Sequence, residues 1–181
     1  MEEWKRLLWE SITTAEDLAR YIDVDQDKIG DTVRRYPMRI NPYFLGLIKD
    51  KGDPIGLQVI PDRQEIEDRV CIEDPLNEER DSPVPNIVHR YPDRVLFLVA
   101  SECPVYCRFC TRKRKVGTPE FVTSTTIQTG IDYIKGNSGI RDVILSGGDP
   151  LLLVDKELER ILEALRRIPH VEIIRIGTRV P

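Results

Sequence analysis

The stretch Cys103-Pro-Val-Tyr-Cys107-Arg-Phe-Cys110 decides how the rest of this sequence is interpreted. It follows an apolar run at 95–100 and precedes a basic run at 112–115. Thiolates bind soft metals, and four of them usually hold an iron–sulfur cluster or a structural zinc ion. Because this stretch supplies three cysteines, one coordination position is left for a small molecule or a distant ligand. An open position is typical of a catalytic metal centre.

The spacing alone leaves several kinds of metal site open. One is an iron–sulfur cluster whose last iron binds a small molecule. Another is a zinc site completed by Cys71 or His89. The third is an electron-transfer cluster that takes its fourth ligand from elsewhere.

Composition limits the class of protein. The 181 residues are 40% hydrophobic and 32% charged with a net charge of −4, which is ordinary for a soluble chain of one domain or slightly more. No apolar run approaches the roughly 20 residues of a membrane span, and the start of the chain lacks the apolar core of a signal peptide. We therefore expect a cytoplasmic protein with reduced cysteines and no membrane partner. The mildly acidic total argues against a general nucleic-acid binder.

The first half of the chain predicts two kinds of segment. Residues 1–50 are predicted to be helical, with a capping box at Thr13-Thr-Ala-Glu16 and helix starts at Asp25 and Asn41-Pro42. Residues 51–93 are rich in proline, which excludes long helices and central strands. We predict an extended connection there, ordered by its apolar residues, with Cys71 buried and inert.

From residue 94 to 181 the pattern alternates between strands and helices. Strands are predicted at 95–100, 142–146 and 171–177, with helices at 123–135, capped by Thr123 or Ser124, and from a capping Asp155 to about 167. This order predicts a right-handed parallel βαβαβ unit. Ligands of such folds gather at the carboxyl ends of the strands, where the cysteines, residues 146–150 and residues 177–179 fall. Gly147 and Gly148 allow the backbone to approach a ligand, or they form a tight strand-to-helix turn.

Several motifs together resemble the lysine 2,3-aminomutase family of radical S-adenosylmethionine (SAM) enzymes. They are Asp74-Pro-Leu-Asn, Asp81-Ser-Pro-Val-Pro-Asn, His89-Arg-Tyr-Pro-Asp-Arg-Val, the stretch from Cys103 through Thr-Arg-Lys-Arg114, Ser146-Gly-Gly-Asp-Pro-Leu and Arg175-Ile-Gly-Thr-Arg-Val-Pro. The resemblance implies three βα units of a partial radical SAM (β/α) barrel. It also implies a [4Fe–4S] cluster, SAM and pyridoxal phosphate (PLP), and an isomerase that moves the α-amino group of L-lysine to the β-carbon.

The same resemblance implies a role for particular residues. The cluster ligands are Cys103, Cys107 and Cys110; the residues at SAM are Phe109, Gly147, Gly148 and Asp149; those at PLP are Arg90, Tyr91 and Arg94; and Arg112 grips the substrate carboxylate. Phe109 stands where many relatives have histidine. Surface salt bridges with the acidic segment 65–81 are the alternative role for the arginines, and we interpret His89 as structural.

Family chains are longer, and their PLP-bearing lysine and the two acids that bind the substrate side chain lie downstream. No position here matches them, so no catalytic residue is assigned. We therefore expect an N-terminal portion that is inactive alone and whose third strand leaves an apolar edge prone to self-association. The expected partners are an amino acid substrate, an electron donor such as flavodoxin or ferredoxin and, at full length, further copies of the chain.

Other functions remain open at this stage. The substrate determinants lie downstream, so glutamate or arginine 2,3-aminomutase activity fits the same residues. A relative that modifies a protein lysine of a translation factor shares the fold. A non-catalytic zinc or iron–sulfur module would need the cysteines alone.

Overall fold

The computed structural model describes residues 2–50 and 52–180 and divides the chain into two compact units. The helical unit comprises the residues up to Glu73 together with 104–117. The sheet unit comprises residues 74–103 and those from Thr118 onward. The cysteine stretch is therefore divided, because Cys103 belongs to the sheet unit while Cys107 and Cys110 belong to the helical unit.

The helical unit contains short helices. They are α1 (Glu3–Trp9), α2 (Ala15–Leu18), α3 (Gln26–Arg35), α4 (Pro42–Leu47), α5 (Gly56–Val59) and α6 (Gln64–Glu67). The predicted starts at Asp25 and Asn41 are confirmed, since their side chains accept the N–H groups of Lys28 and Phe44. Within residues 2–50 and 52–180, no helix is long and apolar enough to cross a membrane.

The predicted capping box at Thr13 is wrong by one residue. Thr14 caps α2, and its hydroxyl oxygen accepts the N–H of Asp17. The cause is a single antiparallel bridge between Ile12 and Ile40, whose N–H and C=O groups are bonded at 2.8 and 3.0 Å. This bridge keeps the chain extended up to the start of α2.

A small apolar core holds the helical unit together. Leu18, Ile40 and Val59 are fully buried, and Met38 is nearly so. Val105, from the cysteine stretch, packs against the same cluster. The segment that follows the first cysteine is thus part of this core.

The prediction for residues 51–93 holds in part. Val59 is buried, but Val70 and Ile72 are 90% and 63% exposed, and the prediction of a buried Cys71 is wrong because that thiol is exposed. The Asp68 carboxylate accepts the N–H groups of Val70 and Cys71, so a local turn rather than core packing holds this segment.

The sheet unit is a four-stranded sheet in the order β1-β2-β3-β4. Its elements are β1 (Ile87–Tyr91), β2 (Arg94–Ala100), α7 (Ser124–Gly136), β3 (Asp142–Gly147), α8 (Asp155–Arg166) and β4 (Ile173–Ile176). Strands β2, β3 and β4 pair in parallel, so the three predicted strands and the two helices between them are confirmed. Thr123 caps α7 as expected. The prediction that Asp155 caps α8 is wrong, because Val154 occupies the cap and Asp155 begins the helix.

Strand β1 has no counterpart in the sequence prediction. It lies within the proline-rich segment and pairs antiparallel with β2 at the edge of the sheet. The prolines exclude a central strand, but residues 87–91 contain none, and an edge strand tolerates prolines beside it. The segment predicted as a connection therefore supplies part of the sheet.

Helices α7 and α8 bury their apolar faces with the sheet. Phe97, Leu145, Ile134 and Ile161 are all fully buried in one cluster. The apolar runs that predicted β2 and β3 thus form the centre of this core.

Gly130 in α7 is required by the packing of Phe97. A Cβ at this position would lie 2.5 Å from Cε2 of that ring, whereas a Cβ on Gly136 of the same helix would meet nothing within 4 Å. We expect Gly130→Ala to lower the free energy of unfolding by about 1–3 kcal/mol through overpacking, despite the higher helix propensity of alanine. Urea unfolding measures the change. Gly136→Ala is the control and should be neutral or stabilising, so equal stability of the two variants would contradict this packing.

Candidate functional site

Three loops lie together at one edge of the sheet. Because β2, β3 and β4 are parallel, the residues that follow them, including Cys103, Gly148 and Thr178, start from the same edge. We call this edge the carboxyl edge. The sequence prediction of unusual residues gathered there is confirmed for the sheet unit.

Gly147 and Gly148 permit a close approach between two of these loops. Gly147 has a φ of +116°, and a Cβ on Gly148 would lie 2.2 Å from the carbonyl oxygen of Glu102. The N–H of Gly148 donates to the carbonyl of Ala100 at 2.6 Å, and the N–H of Asp149 donates to that of Glu102 at 2.7 Å. The glycines therefore let the loop after β3 bind the backbone just before Cys103. This agrees with the tight-turn interpretation, and contact with SAM stays a prediction.

Asp149 connects the loop after β3 to the loop after β4. It is buried, and one carboxylate oxygen accepts the Leu151 N–H and the Thr178 hydroxyl while the other accepts the Arg179 N–H at 2.7 Å. Both oxygens are thus bonded within the protein. The structure gives Asp149 the task of holding two loops together, and its predicted contact with SAM stays a prediction.

The turn from Cys107 to Cys110 is bound to the helical unit through its backbone. The N–H of Tyr106 donates to the carbonyl of Arg39 at 3.0 Å, and the N–H of Arg108 donates to that of Gln58 at 2.8 Å. The N–H of Cys110 donates to the carbonyl of Cys107 at 3.1 Å. The turn therefore has a defined backbone conformation.

Arg108, inside this turn, forms a buried ion pair with Glu65. Its Nε and Nη2 groups each donate to one carboxylate oxygen at 2.9 Å, in the bidentate geometry that arginine favours. The remaining donors reach the carbonyl oxygens of Pro37 at 2.9 Å and Tyr36 at 3.3 Å. The side chains of Arg108 and Glu65 are only 6% and 12% exposed. Removing one partner of such a pair typically costs about 3–5 kcal/mol, because the other charge is left buried and unpaired.

Lys113 adds a second cation to the same carboxylate. Its ammonium donates to Glu65 at 2.9 Å and lies 4.4 Å from the centre of the Tyr36 ring. Burial would raise the pKa of Glu65, but hydrogen bonding and charge from Arg108, together with the hydrogen bond from Lys113, outweigh burial and hold that pKa below its usual value. Glu65 is therefore ionised at neutral pH.

Arg108 and Glu65 are functional candidates that the sequence does not predict. The arginine is visible between two cysteines, but its partner lies 43 residues earlier, in a segment interpreted as an acidic surface. No local signal joins them. A buried pair becomes apparent only when α6 and the turn are seen in one unit.

Arg90, Tyr91 and Arg94 lie together at the turn between β1 and β2. The Arg94 guanidinium is 5.7 Å from the centre of the Tyr91 ring and pairs with Asp93 at 3.1 Å. Arg90 donates to the carbonyl of Leu76. This turn is at the amino end of β2, a strand of seven residues that spans about 20 Å, so these side chains start from the edge opposite Cys103. Their binding of PLP stays a prediction.

Phe109 and Arg112 belong to the helical unit. The Phe109 ring is 64% exposed, and Arg112 is partly buried. The backbone N–H of Arg112 donates to the Sγ of Cys110 at 3.4 Å, which places Arg112 directly beside a predicted cluster ligand. Contacts of these two side chains with SAM and substrate stay predictions.

His89 has a structural partner in its own unit. Its Nδ1 lies 2.7 Å from the hydroxyl of Tyr133 on α7, and the two rings meet edge to face. This agrees with the structural role expected of His89.

The thiols supply the donor chemistry for a metal centre. Cys103, Cys107 and Cys110 are partly buried thiols, and Cys71 is an exposed thiol. Among residues 2–50 and 52–180, no three or more Cys, His, Asp or Glu side chains are gathered around a point where a metal ion could bind. Three thiols in one short stretch nevertheless suit an iron–sulfur cluster with one open position.

Comparison with known proteins defines the class first. Residues 98–181 match the Radical SAM superfamily, a range that begins within β2 and includes the cysteine stretch and the carboxyl-edge loops. Similarity to three curated proteins indicates a narrower group within this superfamily. The chain is 44% identical to an L-lysine 2,3-aminomutase of Clostridium subterminale over 99% of this chain and 45% of the relative. It is 42% identical to that of Bacillus subtilis over 99% of this chain and 40% of the relative.

A glutamate 2,3-aminomutase of Clostridioides difficile is also similar, at 41% identity over 98% of this chain and 44% of the relative. The chain is thus similar to lysine and glutamate 2,3-aminomutases over nearly all of its own length, and its residues 98–181 match the Radical SAM superfamily. It spans less than half the length of these curated relatives.

The lowered pKa of Glu65 makes its contribution to stability depend on pH. A carboxyl whose pKa is lower in the folded than in the unfolded state stabilises the fold above the unfolded value, about 4.3, and loses this effect as pH falls through the folded value. We expect Glu65→Gln to lower the free energy of unfolding at pH 7, with a difference from the wild type that shrinks below about pH 4. Denaturant unfolding between pH 3 and pH 7 measures this.

Glu67→Gln is the matched control on the same helix, because the Glu67–Arg63 pair is exposed. It should change little at any pH. A Glu65→Gln difference that stayed constant down to pH 3 would contradict an ionised, paired Glu65.

Proposed function

We propose that this chain is the cluster- and SAM-binding part of a lysine 2,3-aminomutase, an isomerase that converts L-lysine to L-β-lysine. The observation that carries the proposal is the set of thiols at 103, 107 and 110 in a chain 44% identical to such an enzyme over 99% of its own length. Under this proposal, the first part of a radical SAM (β/α) barrel is formed by β2, β3 and β4 with α7 and α8. The three-part division at 50 and 93 stays a proposal.

The donor set fits the proposed cluster. Cys103, Cys107 and Cys110 would hold a [4Fe–4S] cluster and leave one iron open for SAM. With its cofactors bound, such an enzyme uses cluster and SAM for radical chemistry and PLP to carry the migrating amino group. The protein's own contribution is to bind and orient these groups and to exclude water from them.

Two regions are proposed to bind SAM. The exposed ring of Phe109 offers a flat face for adenine. The backbone at Gly147 and Gly148 lacks side chains that would block a ligand at the carboxyl edge. Asp149 would support this loop through its bonds to Thr178 and Arg179.

Arginines are proposed to bind the other anions. Arg90, Tyr91 and Arg94 would hold PLP, because guanidinium groups bind phosphate through paired hydrogen bonds. Arg112, next to Cys110, would bind the substrate carboxylate. The bonds of Arg94 to Asp93 and of Arg90 to Leu76 would then have to yield to the cofactor.

The proposal includes partners and a location. A reduced flavodoxin or ferredoxin would supply the electron that the cluster needs, and the whole enzyme would form a homo-oligomer. We place it in the cytoplasm, where thiols stay reduced.

A second candidate is glutamate 2,3-aminomutase, which the 41% identical relative from Clostridioides difficile favours. The deciding assay uses the whole enzyme, which is reconstituted anaerobically, incubated with SAM, PLP and dithionite, and supplied with L-lysine or L-glutamate. Formation of β-lysine supports the main proposal, and β-glutamate supports the second. One colourless zinc ion in place of iron would overturn both and leave a non-catalytic zinc module.

The cluster ligands can be tested one at a time. Because the three thiolates are a minimum set, we expect Cys107→Ser to abolish the broad absorption near 400 nm that appears when iron and sulfide are added anaerobically. Cys71→Ser is the matched control and should keep it, since Cys71 is exposed and outside the stretch. Loss of the absorption in the Cys71 variant instead would show that the wrong ligands were chosen.

The proposed arginine roles differ in what their loss removes. In active enzyme, Arg112→Lys keeps the charge but loses the paired hydrogen bonds, so the KM for lysine should rise and turnover fall while PLP content stays normal. Arg90→Ala should release PLP instead. Steady-state kinetics and the absorbance of bound PLP measure both variants, and the reverse pattern would exchange the two roles.

A further inference from the structure

Arg108 is a buried charged side chain to which the proposed chemistry assigns no role. It lies between two predicted cluster ligands, yet all its described side-chain bonds go to the protein: two to Glu65, one to Pro37 and one to Tyr36. Only 8% of the residue is exposed. A group this enclosed is placed to fix its own backbone.

We propose that Glu65, Arg108 and Lys113 act as a positioning network that holds the Cys107–Cys110 turn in one conformation for cluster binding. The proposal rests on the proposed function, since it assumes that these thiols are ligands. The network residues are positioning residues, because none of them is proposed to touch the cluster or a substrate.

The network joins separate parts of the helical unit to the turn. Glu65 lies on α6, the carbonyls of Tyr36 and Pro37 follow α3, and Gln58 lies on α5. Arg108 binds the first three through its guanidinium and the last through its backbone N–H at 2.8 Å. One residue of the turn is therefore fixed from several directions.

Bonds on both sides of Arg108 along the chain also hold the turn. On one side, the N–H of Tyr106 donates to the carbonyl of Arg39, and the Tyr106 side chain is buried. On the other side, Lys113 binds the same carboxylate as Arg108. The residues from 106 to 113, with both thiols between them, are thus held at each end and in the middle. A loop ordered in advance loses less conformational entropy when its ligands close on a metal.

The negative charge of Glu65 holds the two cations of the network. Glu65 is ionised and accepts from two cations, so replacing it with glutamine removes the charge that holds both while keeping the size of the side chain. Partners outside the ligand shell typically change metal affinity by about 10- to 100-fold. Glu65→Gln is therefore expected to loosen the turn as well as to lower the free energy of unfolding.

The test compares the wild-type chain with Glu65→Gln, Arg108→Lys and the control Glu67→Gln. Hydrogen exchange of residues 106–110 is measured first, in protein without iron. Iron and sulfide are then added anaerobically, and the loss of absorption near 400 nm to a ferrous chelator is timed. Thermal unfolding of each variant reports the fold, and the change of the reduced cluster's electron paramagnetic resonance signal on adding SAM reports the open iron position.

We expect Glu65→Gln to speed exchange at residues 106–110 and to release iron about tenfold faster or more, with Glu67→Gln like the wild type. Arg108→Lys keeps one charge without the fork and should give an intermediate rate. If the Glu65→Gln protein does not unfold cooperatively, Arg108→Lys takes its place as the test variant. Exchange and iron release at wild-type rates in the folded variant would overturn the proposal.

The outcomes separate this inference from the proposed function. If the wild type takes up iron and the variants release it no faster, the positioning network is wrong and the proposed function stands. If the wild type takes up no iron, the proposed function fails, and hydrogen exchange alone decides the inference. Faster exchange in Glu65→Gln would still support a network that fixes the turn, and unchanged exchange would overturn it.

Discussion

Parallel pairing of β2, β3 and β4 is the constraint on which the sheet unit depends. It brings three loops to one edge, but loops at one edge need not touch. Here the contact requires glycine, because side chains at 147 and 148 would collide with the backbone of Ala100 and Glu102. The buried carboxylate of Asp149 then binds the third loop through Thr178 and Arg179. The residues just before Cys103 are thus positioned by backbone contacts with the loop after β3, and one carboxylate joins that loop to the loop after β4.

The helical unit positions its thiols by a different interaction. Its apolar core is small, and its helices are short, so packing alone offers few contacts to a loop. A bidentate pair between Arg108 and Glu65 supplies directional bonds instead, and carbonyls after α3 take the remaining donors. Buried charges stabilise a fold weakly on average but specify one arrangement when every donor is satisfied. Such bonds suit the Cys107–Cys110 turn, because they fix its conformation.

Sequence alone predicts the elements that are marked by a periodic apolar pattern or by residues close together in the chain. Apolar runs mark β2 and β3, and Thr123, Asp25 and Asn41 mark helix starts because a cap acts over three residues. Strand β1 is not predicted because the density of prolines in the surrounding segment hides a stretch, residues 87–91, that contains none. The exposure of Cys71 was missed because apolar neighbours do not reveal that Asp68 closes a local turn. The Arg108–Glu65 pair was missed because it joins residues far apart in the chain, and a charged residue inside a motif looks the same whether it faces solvent or a buried partner.

The division of the cysteine stretch between two units follows from these different constraints. Cys103 continues directly from β2, so its backbone is set by the sheet and by the glycines that bind Ala100 and Glu102. Cys107 and Cys110 belong to a turn that the helical unit holds through Tyr106 and Arg108. The backbone at Cys103 and the backbone of the Cys107–Cys110 turn are therefore held by separate sets of bonds, so we expect a change at Glu65 and a change at Gly148 to have nearly additive effects. The helical segment ahead of the radical SAM region, which by composition alone would be interpreted as packing, therefore contributes directly to the conformation of two of the three thiols.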